Sequence, residues 1–405
     1  MSWPSVKLSD VLEFHRGITF KPEDKVETFS SSSVVCMRTK NVQAQLDESD
    51  IIAVPESFVK RDELYLQEGD LLISSANSWN LVGKVVRIPQ LNYRATAGGF
   101  ISILRPLKQF IDPDYLYRFI GSDEQQHKIR HLGRQTTNIS NLDRKRFLDL
   151  RIPLPPLSVQ KQIAAVLEKA DNLRQQSQQM ERELNLLAQS VFLDLFGDPV
   201  TNNRNFTLKK LSDVVSVQSG ATPSKARDDF WDGDYPWVSP KDMKKVYINE
   251  SVDHVSSKAF EETNLKKIEI DSILVVVRGM ILAHTVPIST NIRNVAINQD
   301  IKALRVCDSS LLPKFLLWNM KVQHSHILAK VSTAAHGTKR LDMPDLMSIP
   351  IIIPPLESQQ RFVHALERID SLIKNVEQGK NRSREIFNSL MQRAFKGELD
   401  LKDVV

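Results

Sequence analysis

Few residues in this chain are spaced for bond-making chemistry. Glu23-Asp24-Lys25 carries the E-x-K part of a nuclease core. No upstream Asp in a strand pairs with it, and a solvated loop is the simpler assignment. His127 and His131 stand at i, i+4, a spacing that could turn both toward a metal from one helix face. Neither an H-E-x-x-H arrangement nor a third ligand accompanies them. His324 and His326, two apart on an expected helix, point away from each other. The chain has no G-x-x-x-x-G-K-S/T loop to cradle a nucleotide. A glycine-rich strand-to-helix turn is also missing, since Gly98-Gly99 stands alone. So is the Asn/Asp-Pro-Pro-Tyr/Phe motif that holds a flipped base for amino-group methylation. The expectation is a chain with no catalytic, cofactor or metal site of its own.

What it does contain is loops that mix Arg or Lys with Asn, Gln, Ser and Thr. Cations of that kind take phosphates. Arg or Lys pairs with guanine and Asn or Gln with adenine, each good pair contributing about 1–3 kcal/mol. In the first half the candidates are Arg16, Thr19 and Lys21; Arg38, Lys40 and Asn41; Ser75, Asn77, Trp79 and Asn80; and Arg134, Gln135, Thr137 and Asn138. The second half offers Thr222, Ser224 and Lys225; Ser239 and Lys241; Arg278; and Lys339 with Arg340. The stretches 132–142 and 333–341 occupy equivalent places in the two halves, which favours a shared role. For any single residue a solvated loop charge is the competing assignment. Trp79, Trp231 and Trp237 read as packing residues rather than stacking platforms.

The elements that would carry these loops occur twice. Lys7-Leu8-Ser9-Asp10-Val11 returns as Lys210-Leu211-Ser212-Asp213-Val214, and Gly17 falls on Gly220 at the same offset of 203. Ile101, Leu104 and Arg105 fall on Ile301, Leu304 and Arg305 at an offset of 200. Pro155-Pro156-Leu157-Ser158-Val159-Gln160 aligns with Pro354-Pro355-Leu356-Glu357-Ser358-Gln359 at 199. There Leu167, Glu168, Asp171 and Leu173 meet Leu366, Glu367, Asp370 and Leu372. Ordered matches with so small a drift mark an internal repeat. Each half begins with about 150 residues of short β-branched runs, such as 70–74, 82–88, 99–104 and 272–278. A helix is expected at 114–126 in one half and 313–331 in the other. An extended, proline-bearing exit follows at 152–156 and 349–355.

Beyond each exit the period changes to 3.5. With Ile163 at heptad position a, the d positions are Val166, Leu173, Met180, Leu187 and Asp194. In the second half Phe362, Ile369, Val376, Ser383 and Leu390 take a, and Ala365, Leu372, Gly379, Ile386 and Arg393 take d. Two helices that pack separately on their own domains are the alternative to a mutual coiled coil. The expected fold is α+β: two globular domains separated by two long antiparallel helices in a coiled coil, with a pseudo-two-fold internal repeat. The boundaries fall at 1–157, 158–198, 199–356 and 357–405. About 36 residues of helix would hold the globular parts roughly 54 Å apart, one to two DNA turns of about 34 Å.

Bulk properties agree with a polyanionic partner without demanding one. The 405 residues are 41% hydrophobic and 25% charged, with a net charge of +5 and a pI near 9.0. Two distant cysteines, Cys36 and Cys307, argue against a disulfide framework and for a reducing cytoplasm. Met1-Ser2-Trp3-Pro4 lacks the basic and apolar regions of a secretory signal. No apolar run reaches the roughly 18–20 residues that span a bilayer.

The order of variable unit, Pro-Pro-Leu-x-x-Gln helix, variable unit, Pro-Pro-Leu-x-x-Gln helix resembles the specificity (S) subunit of type I restriction–modification enzymes, over essentially the whole chain. Ser219-Gly220-Ala221-Thr222-Pro223-Ser224-Lys225, then Phe230-Trp231 and Pro236-Trp237-Val238-Ser239-Pro240-Lys241-Asp242-Met243, is similar to the opening of many target-recognition domains of that family. The first unit departs from it at Arg16-Gly17-Ile18-Thr19-Phe20-Lys21. The resemblance implies double-stranded DNA as ligand and an asymmetric bipartite site. It implies two methyltransferase (modification) subunits along the helices, joined by restriction/translocase subunits. S-adenosylmethionine, ATP and Mg²⁺ would be used by those partners. A coiled-coil scaffold whose globular domains bind protein or RNA is the alternative, and a nuclease with a hidden metal site a third.

Overall fold

The repeated Lys-Leu-Ser-Asp-Val segment does the same work in each half. Leu8 and Leu211 are fully buried, while Asp10 and Asp213 accept from the Lys7 and Lys210 amides across a tight turn. The strand ahead of that turn pairs with the proline-bearing exit. Ser5–Lys7 lies antiparallel to Arg151–Pro153, and Thr207–Lys210 to Pro350–Ile353. The exits, expected as plain connectors, are therefore edge strands that tie the end of each unit to its beginning. Proline is tolerated there because an edge position needs no donor on its open side.

These relations come from a computed structural model of the chain, which describes residues 3–135, 139–334 and 337–399. Thr137 and Asn138, and the side chains of Arg134 and Gln135, lie outside the described set. Two compact units emerge, residues 1–177 with 379–405 and residues 178–378, so that each unit takes part of both long helices.

In unit 1 the strands Leu12–Arg16, Ile101–Pro106, Leu71–Ser74 and Val85–Arg87 form an antiparallel sheet in that spatial order. A second sheet orders Ile52–Pro55, Ser33–Met37 and Ala95–Ala97, the last pair parallel. Unit 2 orders Val215–Ser219, Ile301–Val306, Ile273–Val276, Ile288–Asn291 and Tyr247–Ile248. Its second sheet is Asp253–Val255, Tyr235–Val238 and Ala296–Ile297, again with a parallel pair. The class is α+β. Each helix expected after the strands is broken in two. Pro113–Gly121 and Asp123–Leu132 meet at Ser122, whose extended backbone and hydroxyl cap the second piece. Pro313–Val322 and His324–Leu328 meet at Gln323.

The long helices run Leu157–Phe196 and Leu356–Lys396. In unit 1, Ile163, Ala164 and Leu167 share a core with Met391 and Ala394, and Phe395 meets Tyr115 and Phe119 at 5.3 and 5.2 Å between ring centroids. In unit 2, Phe192 and Phe196 pack on Phe315 and Phe362. The heptad assignment needs one correction. Leu173, Met180, Leu187, Leu372 and Ile386, all at expected d positions, are 45–54% exposed. The buried apolar residues besides position a are Leu167, Ala188, Leu366 and Ala394 at e, Ala164, Phe192 and Met391 at b, and Phe196 at f. The packed face thus spreads beyond a two-position stripe, and it includes small alanines that hydropathy does not mark.

Gln160 and Gln359 stitch each helix to its unit. The Gln160 carbonyl accepts from the Asp112 amide (2.8 Å), and its NH₂ donates to the Phe110 and Pro155 carbonyls (3.0 and 2.8 Å). Gln359 repeats this with the Leu312 amide and the Ser310 and Pro354 carbonyls (2.9, 2.8 and 2.9 Å). Both glutamines are fully buried.

Candidate nucleic-acid interface

A short turn gathers several candidate loops of unit 1. The Ile18 amide donates to the Ala97 carbonyl (2.7 Å), the Gly98 amide to Met37 (2.8 Å), and the Ser75 amide to Phe100 (2.8 Å). The 98–100 turn thus joins the loops that follow Arg16, Met37 and Ser74. The 298–300 turn does the same in unit 2. The Ala221 amide donates to Ile297 (3.0 Å), Asn298 to Val238 (3.0 Å) and Val277 to Asp300 (2.8 Å). The approach is close enough to require glycine. A Cβ on Gly17 would lie 2.3 Å from the Gly98 carbonyl oxygen, and one on Gly220 2.1 Å from that of Asn298.

Beside this turn each unit builds a small ribbon. In unit 1, Ala76–Asn77 pairs with Ser140–Asn141, which pairs with Arg134–Gln135. In unit 2, Arg278 bridges to Arg340, and Lys339–Arg340 pairs with Ser332–Thr333. The registers coincide: the Leu142 amide donates to Ser75, and the Leu341 amide to Val277. Position by position, Ala76, Asn141 and Arg134 correspond to Arg278, Arg340 and Ser332.

The candidates divide by what their side chains already hold. Arg16 and Thr19 are exposed at the end of strand Leu12–Arg16 and the turn after it. Lys21 is exposed with Glu23 at 3.9 Å. Arg38 and Lys40 share one carboxylate, Asp50, which the Lys40 and then the Arg38 hydrogen bonds hold below the ordinary range. Asn41 is fully buried, donating to the Asp47 and Asp50 carbonyls (2.7 and 3.0 Å); it braces its loop and offers nothing outward. Ser75 shares a hydrogen bond with Ser102 (2.6 Å). Asn77 donates to the Ser74 hydroxyl and accepts from the Ser78 amide. Asn80 is exposed. Trp79 is not a core residue but a half-exposed ring edge-on to His131 at 5.6 Å, with Arg130 over its face.

In unit 2, Thr222 shares a hydrogen bond with Gln299 beside the 298–300 turn. The Ser224 carbonyl accepts from the Trp231 indole, and Lys225 is exposed. Trp231 and Trp237 pack edge to face at 5.0 Å, as expected. Ser239 is nearly buried, its amide and hydroxyl both donating to Asp242 (2.9 Å each), so it shapes the loop rather than facing a ligand. Lys241 is paired with Asp253 at 2.7 Å, and that hydrogen bond raises its pKa. Arg278 is exposed. Lys339 donates to the Thr333 hydroxyl (2.7 Å), and Arg340 pairs with Asp342 (2.7 Å).

The ribbon also presents residues that sequence reasoning passed over, Asn141 and Ser332, both exposed. The signal was available. Asn141 lies 199 places before Arg340, the same offset as the Pro-Pro-Leu motifs.

Comparisons with known proteins identify the family. The family model for the type I restriction modification DNA specificity domain matches twice, over residues 2–185 and 203–383. The chain belongs to that family, and its role is DNA sequence specificity in a type I restriction–modification system rather than catalysis. Among its relatives, the type I restriction enzyme StySPI specificity subunit of Salmonella potsdam is 24% identical over 424 residues, covering 98% of this chain and 89% of the relative. The EcoKI specificity subunit of Escherichia coli strain K12 is 23% identical, with the same two coverages. A crystal structure of a type I restriction–modification S subunit from M. genitalium matches with a TM-score of 0.56 at 14% identity, covering 98% of this chain and 96% of that one. A chain from a structural study of type I complex assembly and conformational transition matches equally well, at 16% identity and 98% coverage of both. Those two matches establish likeness of fold.

Proposed function

We propose that unit 1 and unit 2 each read one half of an asymmetric bipartite site in double-stranded DNA, using the end of the unit where the turn and ribbon lie. The observation that carries this reading is the coincidence of ribbon registers with divergent chemistry, Ala76 and Asn141 in one unit against Arg278 and Arg340 in the other. A shared scaffold with different outward residues suits two different half-sites. The spacing belongs to the long helices, in this reading an antiparallel coiled coil about a pseudo-two-fold axis. Residues 1–157 and 199–356 are the recognition domains, and 158–198 and 357–405 the spacers. Two modification subunits dock along the spacers, and restriction/translocase subunits join them. S-adenosylmethionine, ATP and Mg²⁺ are the partners' cofactors, and the complex works in the cytoplasm. Among the described residues no helix is long and apolar enough to cross a membrane.

Of the earlier candidates, Arg16, Thr19, Asn80, Lys225 and Arg278 remain free to face DNA in this reading, while Asn77, Thr222, Lys339 and Arg340 would exchange a partner within the chain to do so. Arg38, Lys40 and Lys241 act there as partly neutralised phosphate contacts. The test is footprinting of the full complex. Two protected half-sites about one helical turn apart support it; one contiguous footprint, or displacement from duplex DNA by equal RNA at fixed salt, contradicts it.

A further inference from the structure

On the unit 2 ribbon two arginines face each other across a backbone bridge, Arg278 and Arg340. Partners across a bridge share a face, and like charges set there destabilise a sheet. Arg340 is relieved by Asp342 at 2.7 Å. Arg278 is exposed, and among the described residues its guanidinium has neither an ion pair nor a hydrogen bond. A planar fork of donors left unpaired on a structured edge points to an acceptor supplied from outside.

Its surroundings distinguish a base edge from a phosphate. Gly279 follows at φ +131°, and a Cβ there would meet nothing closer than 3.9 Å, so the backbone beside Arg278 is bare. Met280 and Ile281 come next, 63% and 42% exposed. Bare backbone and apolar side chains suit the floor of a groove, where thymine methyls and base edges lie, better than the charged phosphate rim. Two strand spacings of about 4.8 Å make the ribbon roughly 10 Å across its backbones, against a major groove about 12 Å wide.

We propose that Arg278 is a specificity-determining residue that donates two hydrogen bonds to the O6 and N7 of a guanine in the major groove of the half-site read by unit 2. The inference rests on the DNA-reading assignment above and adds to it a specific role for Arg278, a groove and a base.

The test is selection of sites from a randomised duplex library by the full chain in complex with modification subunits. Wild type and Arg278→Ala are compared, and Kd for the selected site is measured over a salt series. Wild type should enrich a guanine at one position of one half-site. Arg278→Ala should lose that preference by about 5- to 150-fold, the equivalent of one bidentate pair, with preferences elsewhere and the salt slope retained. Uniform weakening with a salt slope lower by about one would mean a phosphate contact and overturn the proposal, as would an unchanged selection. If wild type enriches no sequence at all, the DNA-reading assignment itself fails. Arg278→Lys keeps the charge without the fork; retained binding with a reduced guanine preference is expected even if the alanine variant does not fold.

Discussion

Replacing Gln160 by alanine should lower the stability of unit 1 by about 3 kcal/mol. The side chain is fully buried and makes three hydrogen bonds of 2.8–3.0 Å to backbone groups, the one to the Pro155 carbonyl buried and the other two partly buried. Each such bond contributes about 1 kcal/mol net, and a buried group left unmade costs about 1–3 kcal/mol. The sum is a large fraction of a domain's typical 5–15 kcal/mol. For a unit of about 200 residues it amounts to a fall in Tm of roughly 6–12 °C. Differential scanning calorimetry of the full chain reads it directly, and Gln359→Ala should do the same to unit 2. A shift under about 2 °C would mean that water satisfies the three groups, and the stitching argument would be wrong. Gln160→Glu sharpens the test. Its carboxylate can still accept from the Asp112 amide but faces the Phe110 and Pro155 carbonyls, so folding must raise its pKa. A raised folded pKa stabilises at low pH and loses that benefit as pH rises. The deficit of the Glu variant should therefore shrink as pH falls toward about 4.3.

Three further outcomes follow from the differences between the repeats. Arg105 makes a two-pronged pair with the buried Asp70 (2.9 and 2.7 Å), whereas its counterpart Arg305 pairs with an exposed Glu269; Arg105→Ala should cost about 3–5 kcal/mol and Arg305→Ala about 0–1 kcal/mol in urea unfolding. Burial would raise the Asp171 carboxyl, but hydrogen bonds from Arg118 and Arg174 outweigh it and hold the group low, so its contribution is complete at neutral pH and fades as pH falls below about 3.9. At the matching Asp370 burial wins over the Tyr247 hydrogen bond and the pKa is raised. Its ionised form opposes folding at neutral pH, so Asp370→Asn should raise Tm at pH 7 and lose the advantage in acid, while Asp171→Asn should lower it. Asn141→Ala should relax an adenine preference in the unit 1 half-site by about 1–3 kcal/mol in library selection, since its exposed amide has no protein partner among the described residues; an unchanged selection would remove Asn141 from the reading surface.

The repeat was legible because its markers are short and do fixed jobs. Gly17 and Gly220 match because only glycine fits against a carbonyl at that distance. Gln160 and Gln359 match because each closes the same three bonds. What was not legible depended on side chains far apart in sequence. Asn41 and Ser239 have the composition of contact residues, but their partners at Asp47, Asp50 and Asp242 turn them inward. Lys241 reads as a free cation until Asp253 is brought beside it. The buried face of the long helices was misassigned because hydropathy favours Leu173 and Met180, while the packed face uses Ala164, Ala188 and Ala394. Ser122 breaks an apparently continuous helix because its hydroxyl offers the backbone a cap in place of another turn.

These divisions have a common cause. Residues such as Gln160 and Gln359 hold their units together through the backbone, which the two halves share, so they repeat. Outward residues such as Arg16, Asn141 and Arg278 make no side-chain hydrogen bond or ion pair among the described residues and are free to differ. The ribbon is where the two kinds meet. Its backbone register is the same in both units, carried by Leu142 to Ser75 and Leu341 to Val277, yet at one shared position the first unit presents Ala76 and the second Arg278. If the ribbon reads DNA as proposed, a change of base preference there needs no change of fold, because backbone pairing holds the register. On the proposed function, that separation would let one scaffold, present twice, address two unlike half-sites.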